Sequence, residues 1–379
     1  MVRVNSAAAM EMRPPDSEGR TTRVMTFDVV RGIAMLLMLV SHSSWWLDDL
    51  DYGVAFGWDN MIVPQLSLPD SLPGFLLQLA TPAFFLLGGV GLALFSEARR
   101  RRGWSEGRIS RFLVVRGVVL ITLDVTVMNV MGNEPYYSTH LSVLTGMGIC
   151  VCLMAGLRYL SKRALVVVLV VTLVSTQWYY YSLTASGSWP QEESLIRAAL
   201  LAPSVEDLTW KTQFPALAWL PIVLLGFVSA RPLGDGSKLA LRLGLGCLAV
   251  FAVNLLAGDV GGLYPADPFI FGKHPPDVGY LSLYTGLTLL LIAGMGMQQG
   301  WQQTRTAQTV AMLGQTALFF YVIHIRLIEM VSPLIAPLEM TALERSVLIV
   351  LVVLPMLLML CRVYRSLKRQ YPESVLQYL

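Results

Sequence analysis

Residues 23–46 read Arg23-Val24-Met25-Thr26-Phe27-Asp28-Val29-Val30-Arg31-Gly32-Ile33-Ala34-Met35-Leu36-Leu37-Met38-Leu39-Val40-Ser41-His42-Ser43-Ser44-Trp45-Trp46, and this stretch decides the fold. A mostly apolar run of about 20 residues crosses a bilayer as a helix. Asp28 and Arg31 sit near its start and His42 near its end. Helical periodicity places Asp28, Arg31, Met35, Met38 and His42 on one stripe. At about 1.5 Å per residue, Asp28 and His42 lie roughly 21 Å apart along the axis. An ionisable side chain near the centre of a membrane helix costs on the order of 2.5–3.5 kcal/mol on insertion scales. The stripe is therefore expected to face protein or a watery path, with Asp28 and Arg31 spaced to pair.

The whole chain agrees with this reading. Of 379 residues, 55% are hydrophobic and 14% charged. A soluble domain carries about 25% charged residues. The mean hydropathy is +0.59. The expected fold is an all-α polytopic membrane protein with about ten transmembrane helices. After the span at 23–46, apolar runs fall near 72–95, 112–131, 141–158, 164–183, 213–229, 238–257, 279–298, 309–333 and 342–361. Residues 1–22, with Pro14-Pro15, read as a disordered cytoplasmic tail, and the first span as retained rather than cleaved. Cys150, Cys152, Cys247 and Cys361 all lie in or at the end of apolar runs and read as packing residues.

Lys and Arg set the orientation. With the N-terminus inside, the inner loops hold Arg99–Arg102, Arg108 and Arg111, then Arg158, Lys162 and Arg163, then Arg231, Lys238 and Arg242, then Arg305, and last Arg362, Arg365, Lys368 and Arg369. The outer loops collect acids, Asp48, Asp49, Asp51, Asp59, Glu192, Glu193, Glu206 and Asp207. Both termini are thus expected in the cytoplasm, with Asp28 and Arg31 near the inner surface and His42 near the outer one. The outer segments 47–71, 184–212 and 258–278 are rich in Trp, Pro and Gly, which excludes a simple helix in the last.

No nucleotide-binding loop, zinc spacing or Gly-x-Ser-x-Gly occurs, so no metal is expected. Gly88-Gly89-x-Gly91 lies inside a span and reads as a close-packing device. Arg99–Arg102 reads first as a topology signal and second as an attractor for the phosphates of a cytoplasmic coenzyme. Within the spans, Arg116, Asp124 and Asn129 share one helix, His140 opens the next, and His324 sits deep in an apolar run before Arg326 and Glu329. Buried imidazoles, a carboxylate–guanidinium pair and a basic inner face fit two classes. One is an enzyme that moves an activated group from a cytoplasmic donor. The other is a transporter or flippase of a polar or lipid-linked metabolite, with the charges forming its path. Internal symmetry would favour the transporter, and none is found.

Four motifs, in order, carry a resemblance. They are Arg23-x-x-x-Phe27-Asp28-x-x-Arg31-Gly32 with Met38-x-x-x-His42, Ala80-Thr81-Pro82-Ala83-Phe84-Phe85-Leu86-Leu87-Gly88-Gly89, Phe214-Pro215-Ala216-Leu217-Ala218-Trp219-Leu220-Pro221 running to Gly226, and Phe271-Gly272-Lys273-His274-Pro275-Pro276 leading to Leu318-Phe319-Phe320-Tyr321-Val322-Ile323-His324. Together they resemble bacterial members of the heparan-α-glucosaminide N-acetyltransferase catalytic-domain family, within the wider group of transmembrane acyltransferases. The resemblance covers residues 23–362 and implies one transmembrane acyltransferase domain there, followed by a cytoplasmic tail at 363–379. It implies acetyl-CoA or another acyl-CoA as cytoplasmic donor and an amine or hydroxyl of an extracytoplasmic sugar or polar molecule as acceptor. It implies no nucleic acid partner, a bacterial cytoplasmic membrane location among lipids, and a possible homodimer.

The resemblance carries over His42, His324, Asp28 and Arg31 as the catalytic set. Arg99, Arg100, Arg111 and Arg116 are the candidate coenzyme contacts, and Trp45, Asp124, Asn129, His140 and His274 the candidate acceptor contacts. In the lysosomal branch the reactive His lies in the outer loop after the first span. The stretch Leu47–Leu72 has no His here, so the role passes to His42, as in bacterial relatives, or to another group. A neutral imidazole, with a pKa of about 6.5, serves as base or nucleophile toward a thioester. Arg31, His324 or a backbone amide would meet the oxyanion.

Overall fold

The computed structural model describes residues 17–45, 75–128, 139–186, 194–201, 210–212, 214–235, 237–261, 273, 275–298, 300–371, 374, 376 and 378. The chain is an all-α polytopic membrane protein. Its helices are α1 (Ser17–Trp45), α2 (Ala80–Arg101), α3 (Glu106–Leu123), α4 (Val143–Leu157), α5 (Lys162–Ser186), the short α6 (Leu195–Leu200), α7 (Ala216–Asp235), α8 (Ser237–Gly261), α9 (Val278–Met297), α10 (Arg305–Gln315), α11 (Ala317–Ile335) and α12 (Ala342–Gln370). Two three-residue strands, β1 (Thr139–Leu141) and β2 (Trp210–Thr212), pair in parallel. Among the described residues, seven helical segments are long and apolar enough to cross a membrane, and Val143–Leu157 and Ala216–Arg231 are shorter apolar ones.

Two expected spans take another form. The run at 309–333 is broken in two, with α10 ending and α11 starting at Thr316. Thr316 turns its hydroxyl back on the carbonyl oxygen of Met312 at 3.0 Å and leaves the helical backbone region. α10 buries one face, Ala307, Ala311, Met312, Leu313 and Gly314, against α1. The run at 112–131 starts earlier, at Glu106, behind Ser105, whose hydroxyl accepts from the Arg108 amide. It widens after Leu123 into a π-helix over Asp124–Met128. α12 carries the basic run from Arg362 onward as continuous helix to Gln370.

The helices pack mainly as pairs: α1 with α10, α2 with α7, α3 with α4, α8 with α9, and α11 with α12. Glycines permit the closest of these. A Cβ on Gly32 would meet the Val310 carbonyl, and one on Gly314 the Asp28 carbonyl, so α1 and α10 touch backbone to backbone. Gly89 and Gly226 do the same for α2 and α7, the packing use expected for Gly88-Gly89. Trp219 of the third motif is fully buried, stacked on Phe85 at 4.6 Å and set edge-on to Tyr280. A second apolar cluster joins α1, α11 and α12 through Met35, Leu39, Phe320, Ile328, Val353 and Leu357. That cluster fixes the approach of α1 to α11, on which the site depends.

Candidate active site

His42 and His324 come together. Nδ1 of His42 lies 2.7 Å from Nε2 of His324, and the rings stack at 5.0 Å between centroids. His324 is fully buried. Its Nδ1 lies 2.7 Å from the carbonyl oxygen of Tyr321 and 3.1 Å from that of Phe320. A carbonyl oxygen only accepts, so His324 carries its proton on Nδ1. A neutral imidazole then accepts at the other nitrogen, so His42 Nδ1–H donates to His324 Nε2. The proton on Nδ1 leaves the lone pair of His42 at Nε2. One histidine thereby sets the tautomer of the other, as a carboxylate does in a serine-hydrolase triad.

A polar network holds α11 in place beside this pair. The Tyr321 hydroxyl meets Ser142 Oγ at 3.2 Å, and Ser142 Oγ donates in turn to Asp124 Oδ1 at 2.5 Å. Ser142 therefore accepts from Tyr321. Asp124 also accepts from the Ser142 amide at 2.8 Å, the Thr145 amide at 3.0 Å and the Thr145 hydroxyl at 2.6 Å. These donors are the first turn of α4, where a carboxylate is favoured by orphan amides and the helix dipole. Arg326, two residues after His324, pairs with Glu329 and donates to the carbonyl oxygens of Val127 and Met128 at 2.9 and 3.0 Å. It thus holds the carbonyls of the π-helix.

Asp28 and Arg31 form the expected pair at 3.3 Å, near the other end of α1. Arg31 also donates to the carbonyl oxygens of Gly314 and Leu87, at 3.4 and 3.3 Å. Gln315 Nε2 donates to Asp28 Oδ2 at 2.9 Å. The pair thus ties α1, α2 and α10 at one point. Eleven residues separate Arg31 from His42, about 16 Å of helix.

The four expected coenzyme cations divide. Arg116 is half-buried and lies within electrostatic reach of Arg31 and Tyr364. Arg99 lies over the Trp104 ring at 4.5 Å, with Arg108 over the same ring at 4.1 Å. Arg100 is paired with Glu106 at 2.6 Å, and Arg111 is exposed. Of the expected acceptor contacts, Asp124 is fully buried at the start of α4. Trp45 ends α1 one turn beyond His42, and His140 sits opposite Lys211 in the β1–β2 pair; only their backbone is described. Asn129 and His274 lie outside the described residues.

Sequence reasoning missed three contributors. Lys273, from the fourth motif, is half-buried ahead of α9 and lies within electrostatic reach of His42. Burial pushes its ammonium down to about 8. A lysine in a Pro- and Gly-rich loop was the available signal. Tyr321 and Ser142 join the network above, and neither residue type stands out in an apolar helix.

The acyltransferase-domain family matches this chain over residues 26–361. No curated protein matches it.

Proposed function

The chain belongs to the acyltransferase-domain family of membrane proteins, and from that premise we propose that it moves an acyl group from acyl-coenzyme A to a hydroxyl or amine of a sugar or other polar acceptor. The donor enters from the cytoplasmic side, where the basic ends of α2, α3 and α12 gather, and the acceptor from the opposite side of a bacterial cytoplasmic membrane. The likeness to the heparan-α-glucosaminide N-acetyltransferase family belongs to this proposal. It favours acetyl as the acyl group and a saccharide as the acceptor.

One observation carries the reading: the 2.7 Å contact that fixes His42 with its lone pair on Nε2. A bound thioester supplies an acyl carbon with a ready leaving group. His42 Nε2 removes the proton from the acceptor oxygen or nitrogen as that atom bonds to the acyl carbon. The carbon–sulfur bond breaks, and His42 returns the proton to the departing sulfur, so no net proton is consumed. His324 accepts from His42 Nδ1 throughout and shares the charge while His42 is an imidazolium. Asp28 and Arg31 brace the donor end of α1. An extended pantetheine arm bridges a gap of the order of that between Arg31 and His42.

The test follows thiol release from acetyl-coenzyme A by protein in liposomes, with a panel of polar hydroxyl and amine acceptors. Acceptor-dependent release, abolished in His42→Ala with coenzyme binding retained, is the expected outcome. Release that ignores the acceptor and survives His42→Ala would discard the proposal.

A further inference from the structure

A second cluster lies at the basic end of the bundle and plays no part in the proton transfers above. α12 presents Tyr364 and Lys368, one helical turn apart, with the Lys368 ammonium 5.8 Å from the Tyr364 ring centre. Arg116 of α3 is within electrostatic reach of both and of Arg31. Tyr364 is only 6% exposed, and its ring is stacked on Phe319 at 4.3 Å. Its hydroxyl is fully buried and has no hydrogen-bond partner among the described residues.

This arrangement is unfavourable as it stands. A buried phenol lacks an acceptor among the described residues, and a guanidinium and an ammonium of like charge lie within electrostatic reach of each other. Asp28 sits on the neighbouring stretch of α1, three residues before Arg31. It is already held by Arg31 and Gln315 and lies in reach of Arg365. An anion with several acceptor oxygens resolves all of these conflicts at once. The guanidinium gives a planar fork, the ammonium a point charge and the phenol a directed O–H, the donor set that suits a phosphate.

We propose that Arg116, Tyr364 and Lys368 form a binding site for a phosphate-ester anion, completed by the C-terminal helix α12. Taking the anion to be the diphosphate of the acyl-coenzyme A donor rests on the function proposed above. A phospholipid headgroup from the adjoining leaflet has the same chemistry.

The test uses the full chain in neutral detergent. Thermal melting is recorded against inorganic pyrophosphate, coenzyme A and phosphatidylglycerol for wild type, Tyr364→Phe, Lys368→Gln and Arg116→Gln. Tyr364→Phe removes only the unbonded oxygen and keeps the stack on Phe319, so without ligand it melts at or above the wild-type temperature. Pyrophosphate and coenzyme A stabilise wild type, and each substitution weakens both by about tenfold, the loss of one charge-assisted bond. Pyrophosphate binding lost in the variants, with no response to coenzyme A, keeps the anion site and rejects the donor reading. Stabilisation by phosphatidylglycerol alone, lost in the same variants, keeps the site and assigns it to a lipid headgroup. Coenzyme A binding that all three variants retain overturns the site while leaving the donor reading intact. No response to any of the three probes overturns the site as well.

Discussion

The hydroxyls of Tyr321 and Ser142 meet at 3.2 Å, and this contact joins the helix that carries His324 to the carboxylate that starts α4. Tyr321 works at both ends. Its side chain reaches Ser142, and its carbonyl oxygen accepts the His324 Nδ1–H. The orientation of His324 is thereby tied to Asp124.

Asp124→Asn keeps the size and replaces one acceptor oxygen by a donor that faces other donors. The buried amides and hydroxyls at the start of α4 then lose a partner, a cost of about 1–3 kcal/mol in stability. Melting should fall, and turnover should fall further than Ser142→Ala lowers it. Thermal denaturation with parallel turnover checks this, and a wild-type result for Asp124→Asn would leave the carboxylate without its assigned task.

Much of this architecture was legible in the sequence. The stripe from Asp28 to His42 follows from helical spacing, and Asp28 and Arg31 pair as their separation implies. The break at Thr316 was not legible. Hydropathy averaged over 309–333 hides a turn made by one side chain bonding back on its own helix. His42 and His324 each stood out as imidazoles in apolar surroundings, but they are 282 residues apart and nothing local reports their contact. Lys368 read as a topology charge because a cation at a helix end looks the same whether it meets water or a ligand.

Gly32 and Gly314 face each other's helix at backbone distance. Gly32→Val inserts a branched side chain where the Val310 carbonyl sits, and overpacking of this kind costs about 1–3 kcal/mol or more. Arg31 would also be pulled from the Gly314 carbonyl. The expected result is lower melting with loss of activity; unchanged melting would mean that α1 and α10 can separate freely.

Lys273 sets a pH dependence. Burial holds its ammonium down to about 8, against about 10.4 in the unfolded chain. Below about 8 both states are charged, and the folded one bears the full cost of burial. Between about 8 and 10.4 the unfolded state binds more protons, so stability rises with pH. Lys273→Met should therefore melt higher than wild type at pH 7, with the advantage fading across that window. Melting curves at stepped pH check the sign, and a variant less stable than wild type at pH 7 would contradict it.

The pairing of His42 with His324 is tested most directly by a double-mutant cycle on kcat for acyl transfer. His42→Ala should lower kcat by roughly 10²- to 10⁴-fold, the range for a general base. His324→Ala should lower it less, and the double variant should be no worse than His42→Ala alone, because residues acting as a unit are not additive. Losses that multiply, or a His42→Ala kcat within about tenfold of wild type, would contradict the account.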